Sequence, residues 1–567
     1  MRRIAALFCV LCLCAACPDD KEEQTPADAG VDADPGDVGR DSDAMDAADS
    51  GRQWPATGAY ADVKAAGTDE ELRFDALRYP VHVRRDQYGI PHILAENLED
   101  AMWTQGFVHA RDRFPQMELL RRSASGTLGR VAGGLDDGVI EDDIFQRIVG
   151  LRRMGQAIWD SLPEDDETRR VLLAYTAGVN AYIARLASGD ETVVPAAGVL
   201  IFPLATEPWD PVDSLTLVRF QQYRLGFDSF REIGLTRTRV AAQQNFPSDA
   251  EDPAVAARAG IYQDLVRFAP ADPTYQVPGF QGASKPGDAV SSAKWRAPSP
   301  AALETASSFA SFPRSEVYKR LADRGGISNS WAISGDLSST GNAMLANDPH
   351  LNMDSPALFH QIHIVVEPRT ETDGPALNVM GAVFPGLPGI LIGHNEHVAW
   401  GLTTASYDYT DAFVEEFVWE EGQPYPKVLH NGEEVELQLI EEEIEVGLLG
   451  TVRETLTVTI PVVPHHGPLA GRIEGRTLHL PEGEEGISLA WRGYQPSNEI
   501  AAVMGWMTAK DLDDVRATLP DWVIGTQNLL FADTQGNIFT TGESFVPTRP
   551  ADAMSWDPVD NPDGNAP

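Results

Sequence analysis

The sequence predicts a chain of the α+β class, on three observations. Residues 81–93 read as strand, turn and strand and lead into an amphipathic helix, residues 140–265 alternate helical stretches with polar turns, and after Leu351 the chain becomes rich in strands. At 567 residues and 43% hydrophobic composition the chain exceeds the usual single-domain size and can bury a large core. Its formal charge of −41 argues against a nucleic-acid partner, because phosphate binding needs a basic face and Lys and Arg form no long cluster.

All four cysteines, Cys9, Cys12, Cys14 and Cys17, fall in the first seventeen residues, where Arg2-Arg3 precedes an apolar run from Ile4 to Ala16. About a dozen apolar residues are too few to span a bilayer and read as a secretory signal. Ala15-Ala16-Cys17 resembles a bacterial lipoprotein cleavage site, with Cys14 where that pattern usually has Leu. Residues 1–17 are therefore expected to be a lipoprotein-type signal, with Cys17 lipidated and the protein anchored in the periplasm or cell envelope; ordinary secretion is the alternative. The mature chain then has no disulfide framework. Residues 18–53 carry almost no large apolar side chain, and between Asp19 and Asp49 twelve acids face only Lys21 and Arg40, which describes an acidic, solvated tether. Asp32-Ala33-Asp34-Pro35-Gly36-Asp37 faintly resembles a calcium loop, for which a polar tether is the plainer reading.

In the region 54–265, Val81 to Ile93 gives two short strands around Gly89. From Ala101 to Arg122, Phe107, Ala110, Phe114, Met117 and Leu120 recur at helical spacing opposite Arg111, Arg113, Gln116 and Arg121. Pro115 is expected to kink that helix. His92 and His109 read as core or solvated-face residues. Further helices are expected over residues 171–186 and 214–227. Residues 265–324 turn Pro, Ser, Ala and Gly-rich; Ser291-Ser292-Ala293-Lys294 matches Ser-x-x-Lys there, but without the accompanying Ser-Asp-Asn and Lys-Thr-Gly it is a chance match. Beyond Leu351, residues 362–366, 389–392 and 452–463 have strand character, Asn431-Gly432 marks a hairpin, and residues 501–519 read as one helix.

The segment Gly325-Gly326-Ile327-Ser328-Asn329-Ser330-Trp331-Ala332-Ile333-Ser334 with Gly341 to Leu351 reads as two strands joined by a turn, with Ser328 at the head of the first. Breaking the Ile327–Ser328 bond would give Ser328 a free α-amine with a pKa of about 7.7–8.0, partly neutral near neutral pH. Such an amine serves as base for its own hydroxyl, and no separate histidine is needed.

Ser-Asn-Ser-Trp followed by Asn347-Asp348-Pro349-His350-Leu351, preceded by Gly-Ile-Pro-His-Ile and Gly-Phe-Val-His-Ala-Arg-Asp-Arg-Phe, resembles the penicillin acylase family of N-terminal-nucleophile hydrolases. The resemblance runs from about Tyr79 to Arg549. It implies a four-layer αββα sandwich, an α-subunit region over 54–265, an excised spacer over 266–327 and a β-subunit region over 328–567, paired as an α/β heterodimer after self-cleavage. By the same resemblance Ser328 is nucleophile and amine base and His350 an orienting group. Trp400-Gly401 aligns Thr404 as a backbone N–H oxyanion donor. Glu232, Asp408, Thr410 and Asp411 become ligands of a structural calcium ion. Ile327 departs from the small residue usual before the nucleophile and is expected to slow the rearrangement. His394 and His397 lack the spacing of zinc-protease motifs. The family's second oxyanion donor, an asparagine side chain, is expected beyond Pro567. Two readings follow: an acylase acting on a small-molecule amide of the β-lactam side-chain or N-acyl homoserine lactone class, with a complementing chain as a further partner, or a truncated, inactive lipoprotein that only binds.

Overall fold

The computed structural model describes residues 65–189, 207–226, 229–245, 297–322, 328–351, 355–405, 409–524, 527–542 and 544. The expected signal, the tether, Asp408 and residues 266–296 and 323–327 of the expected spacer lie outside them. The described chain is α+β. In order it forms β1 (Ala65–Leu72), β2 (Val81–Asp86), β3 (Pro91–Ala95), α1 (Leu98–Ser125), α2 (Asp137–Val149), α3 (Leu151–Ser161), α4 (Glu167–Ser188), α5 (Pro211–Gly226), α6 (Ser229–Asn245), α7 (Pro300–Phe309) and α8 (Glu316–Ala322). Strands then dominate: β4 (Asn329–Ile333), β5 (Met344–Asp348), β6 (His360–Val366), β7 (Leu377–Val383), β8 (Ile392–His394), β9 (Val398–Thr404), β10 (Thr410–Val418), β11 (Lys427–His430), β12 (Glu433–Val435), β13 (Gln438–Leu448), β14 (Thr451–Val463), β15 (Gly467–Pro468), β16 (Arg472–Glu474), β17 (Thr477–His479) and β18 (Glu485–Trp491). Helices α9 (Glu499–Thr508) and α10 (Leu512–Thr518) precede β19 (Gln527–Asp533) and β20 (Ile538–Thr541).

The frame is a nine-stranded sheet in the order β1-β2-β3-β6-β7-β8-β9-β19-β20. Its pairs are antiparallel except β3 against β6, where His92 faces His363 in a parallel ladder. One continuous core joins the sheet residues Ile362, Ile364, Trp400 and Phe531 to Met102, Phe107 and Phe114 of α1 and Tyr175 of α4. Smaller sheets, β12-β11-β10-β18 and β13-β14-β15, flank this frame. At the Asn431-Gly432 hairpin both residues take positive φ, 53° and 82°, the conformation a two-residue turn between strands requires.

Helix α1 differs from the expected one-faced helix. It runs unbroken through Pro115 and is buried along most of its length; on the face assigned to solvent Arg121 is buried and Arg111, Arg113 and Gln116 are half-buried. Arg121 and Arg122 pair with the fully buried Glu118, and Arg121 also reaches Asp213 of α5 at 3.2 Å. Charges at helical spacing were thus an interior network between helices. The helix expected over 501–519 is two, α9 and α10, because Asp511 interrupts it by capping the N–H groups of Asp513 and Asp514. His92 and His109 are buried, as a core reading requires.

The described part of the expected spacer, residues 297–322, is packed. Helix α7 buries Ala302, Leu303, Ala306 and Phe309, and Phe145 of α2 sits 4.8 Å from Phe309 and 5.2 Å from Phe312 between ring centroids. The N–H groups of Arg314 and Ser315 donate to the Asp142 carboxylate at 2.7 and 2.8 Å, and the Tyr318 hydroxyl donates to Asp143 at 2.6 Å. Ala and Ser abundance marked a linker in the sequence, but small residues here let a short helix sit against aromatic rings.

The β4–β5 hairpin, with Asn329 paired to Asp348 and Ile333 to Met344, lies over β9 and β19 as a second β layer. It is seated by Asn347. Strand β8 ends opposite Ala399 and Trp400, which leaves the edge of β9 beyond it without a neighbouring strand. There the Asn347 amide donates to Leu402 O at 2.9 Å and accepts from Leu402 N–H at 3.1 Å, standing in for one strand residue. Gly401 makes the approach possible, since a Cβ at this position would lie 2.7 Å from Asn347 Cβ.

Asn347→Ala is expected to leave the Leu402 N–H and carbonyl unpaired and to lower stability by about 1–3 kcal/mol; Gly401→Ala is expected to displace the hairpin. Urea denaturation of each variant, with hydrogen exchange over residues 329–348, checks both.

Away from the hairpin, Asp112 of α1 takes a bidentate pair from Arg85 of β2, at 2.7 and 3.0 Å, and a bond from His360 of β6 at 3.0 Å. Burial pushes this carboxyl up, but the bonds and charges of His360 and Arg85 more than offset it and hold the pKa at about 2. A depressed acid stabilises the fold above its unfolded pKa and loses that contribution as pH falls through the folded one. The wild type is therefore expected to exceed Asp112→Asn by roughly 2–3 kcal/mol at pH 7, with the gap shrinking between about pH 4 and pH 2. Urea midpoints at pH 7, 4 and 3 measure it.

Candidate active site

Ser328 immediately precedes β4 and is half-buried. Continuing the β4–β5 register by one residue places it opposite Pro349. Both border a cavity of about 110 Å³. Its wall is mostly apolar, from Leu351, Phe359, Phe384, Leu387, Ile392 and Val503, and Phe359 stacks on Phe384 with centroids 4.6 Å apart. Polar groups come from Ser328, Thr403, Thr404, Gln221, Gln222, Glu499 and Gln527. A hydroxyl beside an apolar recess can meet a carbonyl whose apolar substituent fills the recess.

Thr404 closes β9 and pairs with Gln527 of β19. Backbone polar groups of a strand alternate in direction along its length. Leu402 directs its N–H and carbonyl away from β19 onto Asn347, so Thr404, two residues on, directs its N–H to the same side, toward the hairpin. The structure thus brings Ser328 and Thr404 to one cavity. His350 it places differently: the imidazole Nε2 meets Asp348 Oδ2 at 2.8 Å and is well exposed, while its neighbours Pro349 and Leu351 line the cavity.

Sequence reasoning missed the support of the cavity. Arg219 of α5, fully buried, reaches Glu499 at 3.3 Å, Gln222 at 2.6 Å, Ser497 Oγ at 2.5 Å and the Gln495 carbonyl at 3.1 Å. Glu499 also accepts from Ser497 Oγ at 2.7 Å and from Ile524 N–H at 3.0 Å. The pair fixes α5 and α9 where Gln222 and Glu499 enter the cavity wall. Partners 280 residues apart leave no signal in local spacing.

Among the expected calcium ligands, Glu232 of α6 accepts from the Ala412 N–H at 2.8 Å, and the buried Thr410 and Asp411 lie beside Ala412 at the start of β10. The carboxylates of Glu232 and Asp411 and the Thr410 carbonyl are hard oxygen donors, the chemistry calcium takes. The His394–His397 pair forms no ligand cluster among the described residues.

The penicillin amidase family model matches residues 80–566. The chain is 29% identical over 499 residues to penicillin acylase 2 proenzyme of Pseudomonas sp. (strain SE83), covering 86% of this chain and 55% of that protein. It is 26% identical over 423 residues to the acyl-homoserine lactone acylase QuiP of Pseudomonas aeruginosa, covering 74% and 44%. A solved structure of the thermostable penicillin G acylase from Alcaligenes faecalis aligns at 22% identity over 39% of this chain and 36% of that one, with a TM-score of 0.32. The chain spans about half the length of the curated relatives it matches. With a family match over most of its length, the chain belongs to the penicillin amidase family.

Proposed function

We propose that this chain is a self-processing acylase that hydrolyses a small-molecule amide through an acyl-enzyme on Ser328. The observation that carries the reading is the position of Ser328: the head of a seated hairpin, at the edge of an apolar cavity that Thr404 also borders. In the processing step the Ser328 hydroxyl attacks the Ile327 carbonyl, the amide becomes an ester, and water cleaves the ester to leave a carboxylate and a free α-amine. In turnover Oγ attacks the substrate carbonyl while the α-amine takes its proton. The Thr404 N–H stabilises the oxyanion, and the amine passes the proton to the leaving nitrogen. Water then attacks the acyl ester and the acid departs. His350, held by Asp348, is the proposed auxiliary group.

An apolar recess suits an apolar acyl group, and β-lactam side chains and N-acyl homoserine lactones both carry such groups. Calcium, held by Glu232, Asp408, Thr410 and Asp411, would tie α6 to β10 and play a structural part. Cys17 is the proposed lipid anchor at the cell envelope, and the cleaved halves remain together as an α/β pair.

Ser328→Ala is expected to stay one chain by intact mass while the wild type gives two, the second starting at Ser328. Its turnover of a chromogenic phenylacetyl or longer acyl amide is expected to fall by about 10³-fold or more. A folded wild type that remains uncut overturns the proposal, and processing without turnover supports a binding role instead.

Calcium added to chelated wild type is expected to raise Tm by at least about 2 °C, and Glu232→Gln to lose most of that rise. Differential scanning calorimetry reads both.

A further inference from the structure

A second cluster lies away from the cavity. Glu415 of β10, its carboxylate 4% exposed, faces two consecutive histidines on the turn between β14 and β15. His466 Nδ1 lies 2.6 Å from Glu415 Oε1, and Ser488 of β18 donates its hydroxyl to the same oxygen. His465 Nε2 lies 3.9 Å from the other oxygen, Oε2; this nitrogen is buried and has no hydrogen-bond partner. His430, ending β11, sets its ring 3.8 Å from that of His465 and 6.1 Å from that of His466.

The turn is built rather than incidental. His466 N–H returns to the Val463 carbonyl at 3.2 Å, and Gly467, at φ 153°, runs so close to β18 that a Cβ would sit 2.1 Å from the Leu489 carbonyl. Phe413 stacks on the His466 ring with centroids 3.8 Å apart and planes at 7°, which fixes its orientation. Neighbouring histidines are thereby turned onto one carboxylate.

We propose that Glu415, His465 and His466, with His430 beside them, form a binding site for a divalent transition-metal ion of the zinc class. The ligand atoms of the first three all lie within 4.8 Å of one another. Two ligands of a tetrahedral ion, each about 2.0–2.2 Å from it, stand about 3–3.5 Å apart. Small rotations of the carboxylate and the His466 ring close that difference, the ion replacing the His466–Glu415 hydrogen bond and taking up the His465 nitrogen. Imidazoles with one carboxylate select zinc, copper or nickel over calcium or magnesium. Glu415 also lies four residues along β10 from Asp411, about 13 Å at strand spacing, so this is not the calcium position.

The test uses the full chain freed of metal by chelation and dialysis, with zinc sulfate as the probe. Isothermal titration is expected to give one zinc ion per chain, and cobalt(II) in its place to give the visible absorption of a tetrahedral nitrogen–oxygen site. His465→Ala is expected to weaken binding by about tenfold or more and to abolish the cobalt spectrum, while Glu232→Gln leaves both unchanged. Near-ultraviolet circular dichroism shows that the variants fold; His430→Ala, on an exposed hairpin, gives a second reading if His465→Ala does not. Absence of stoichiometric zinc in folded wild type overturns the proposal, as does zinc bound equally well by wild type and both histidine variants.

Discussion

The position of the candidate nucleophile depends on one side chain. Asn347 engages both backbone groups of Leu402 where β8 has ended, and so joins a two-stranded hairpin to a nine-stranded sheet. An isolated hairpin is marginal in water; this one exposes Trp331 and Met344 on its outer side and depends on its inner side for position. The same bond pair fixes which way Leu402 points, and hence which way Thr404 directs its N–H two residues later. One amide therefore orients both the serine and the candidate oxyanion donor toward a single cavity.

The cavity itself rests on a buried charge pair. Taking Arg219 and Glu499 out of water is costly, and such pairs tend to break even at best unless every remaining donor and acceptor is occupied. Here Gln222, Gln495, Ser497 and Ile524 supply most of those partners, while Arg219 Nε is left without one. The result is a rigid junction between α5 and α9 at the polar end of an otherwise apolar recess. Rigidity has chemical value at this point, because a misplaced carbonyl forfeits the advantage of an oriented nucleophile.

What the sequence made legible followed from local pattern. Alternation gave β2, β3, β6 and β14, and helical spacing gave α1, α4 and α5, all within a few residues of the observed ends. Ser328 and Thr404 emerged from ordered motifs, and the cavity joins them. The misreadings share a cause. Arg121 looked solvent-facing because charge alone does not reveal a partner such as Asp213 on another helix. Strand β13 was missed because Glu441, Glu442, Glu443 and Glu445 resemble a solvated run, yet Glu442 pairs with Arg147 and Arg153, and Glu445 with Arg130. Part of the large acidic excess is thus bound to arginines from the helical half.

The proposed cleavage makes sense of the anchors on either side of Ile327–Ser328. Upstream, Tyr318 and residues 314–315 are bound to Asp143 and Asp142 of α2; downstream, Asn347 holds the hairpin to β9. Nine residues lie between Tyr318 and Ser328, ten Cα steps that reach about 33–36 Å when extended, so the two attachments act independently. Cutting between them frees no core element: the upstream end keeps its aromatic contacts with Phe145 and the downstream end keeps Asn347. The new amine would therefore arise on a strand whose position was set before the bond broke. A nucleophile of this kind needs that order of events, because its base does not exist until the chain is cut, and the cavity must already be formed around it.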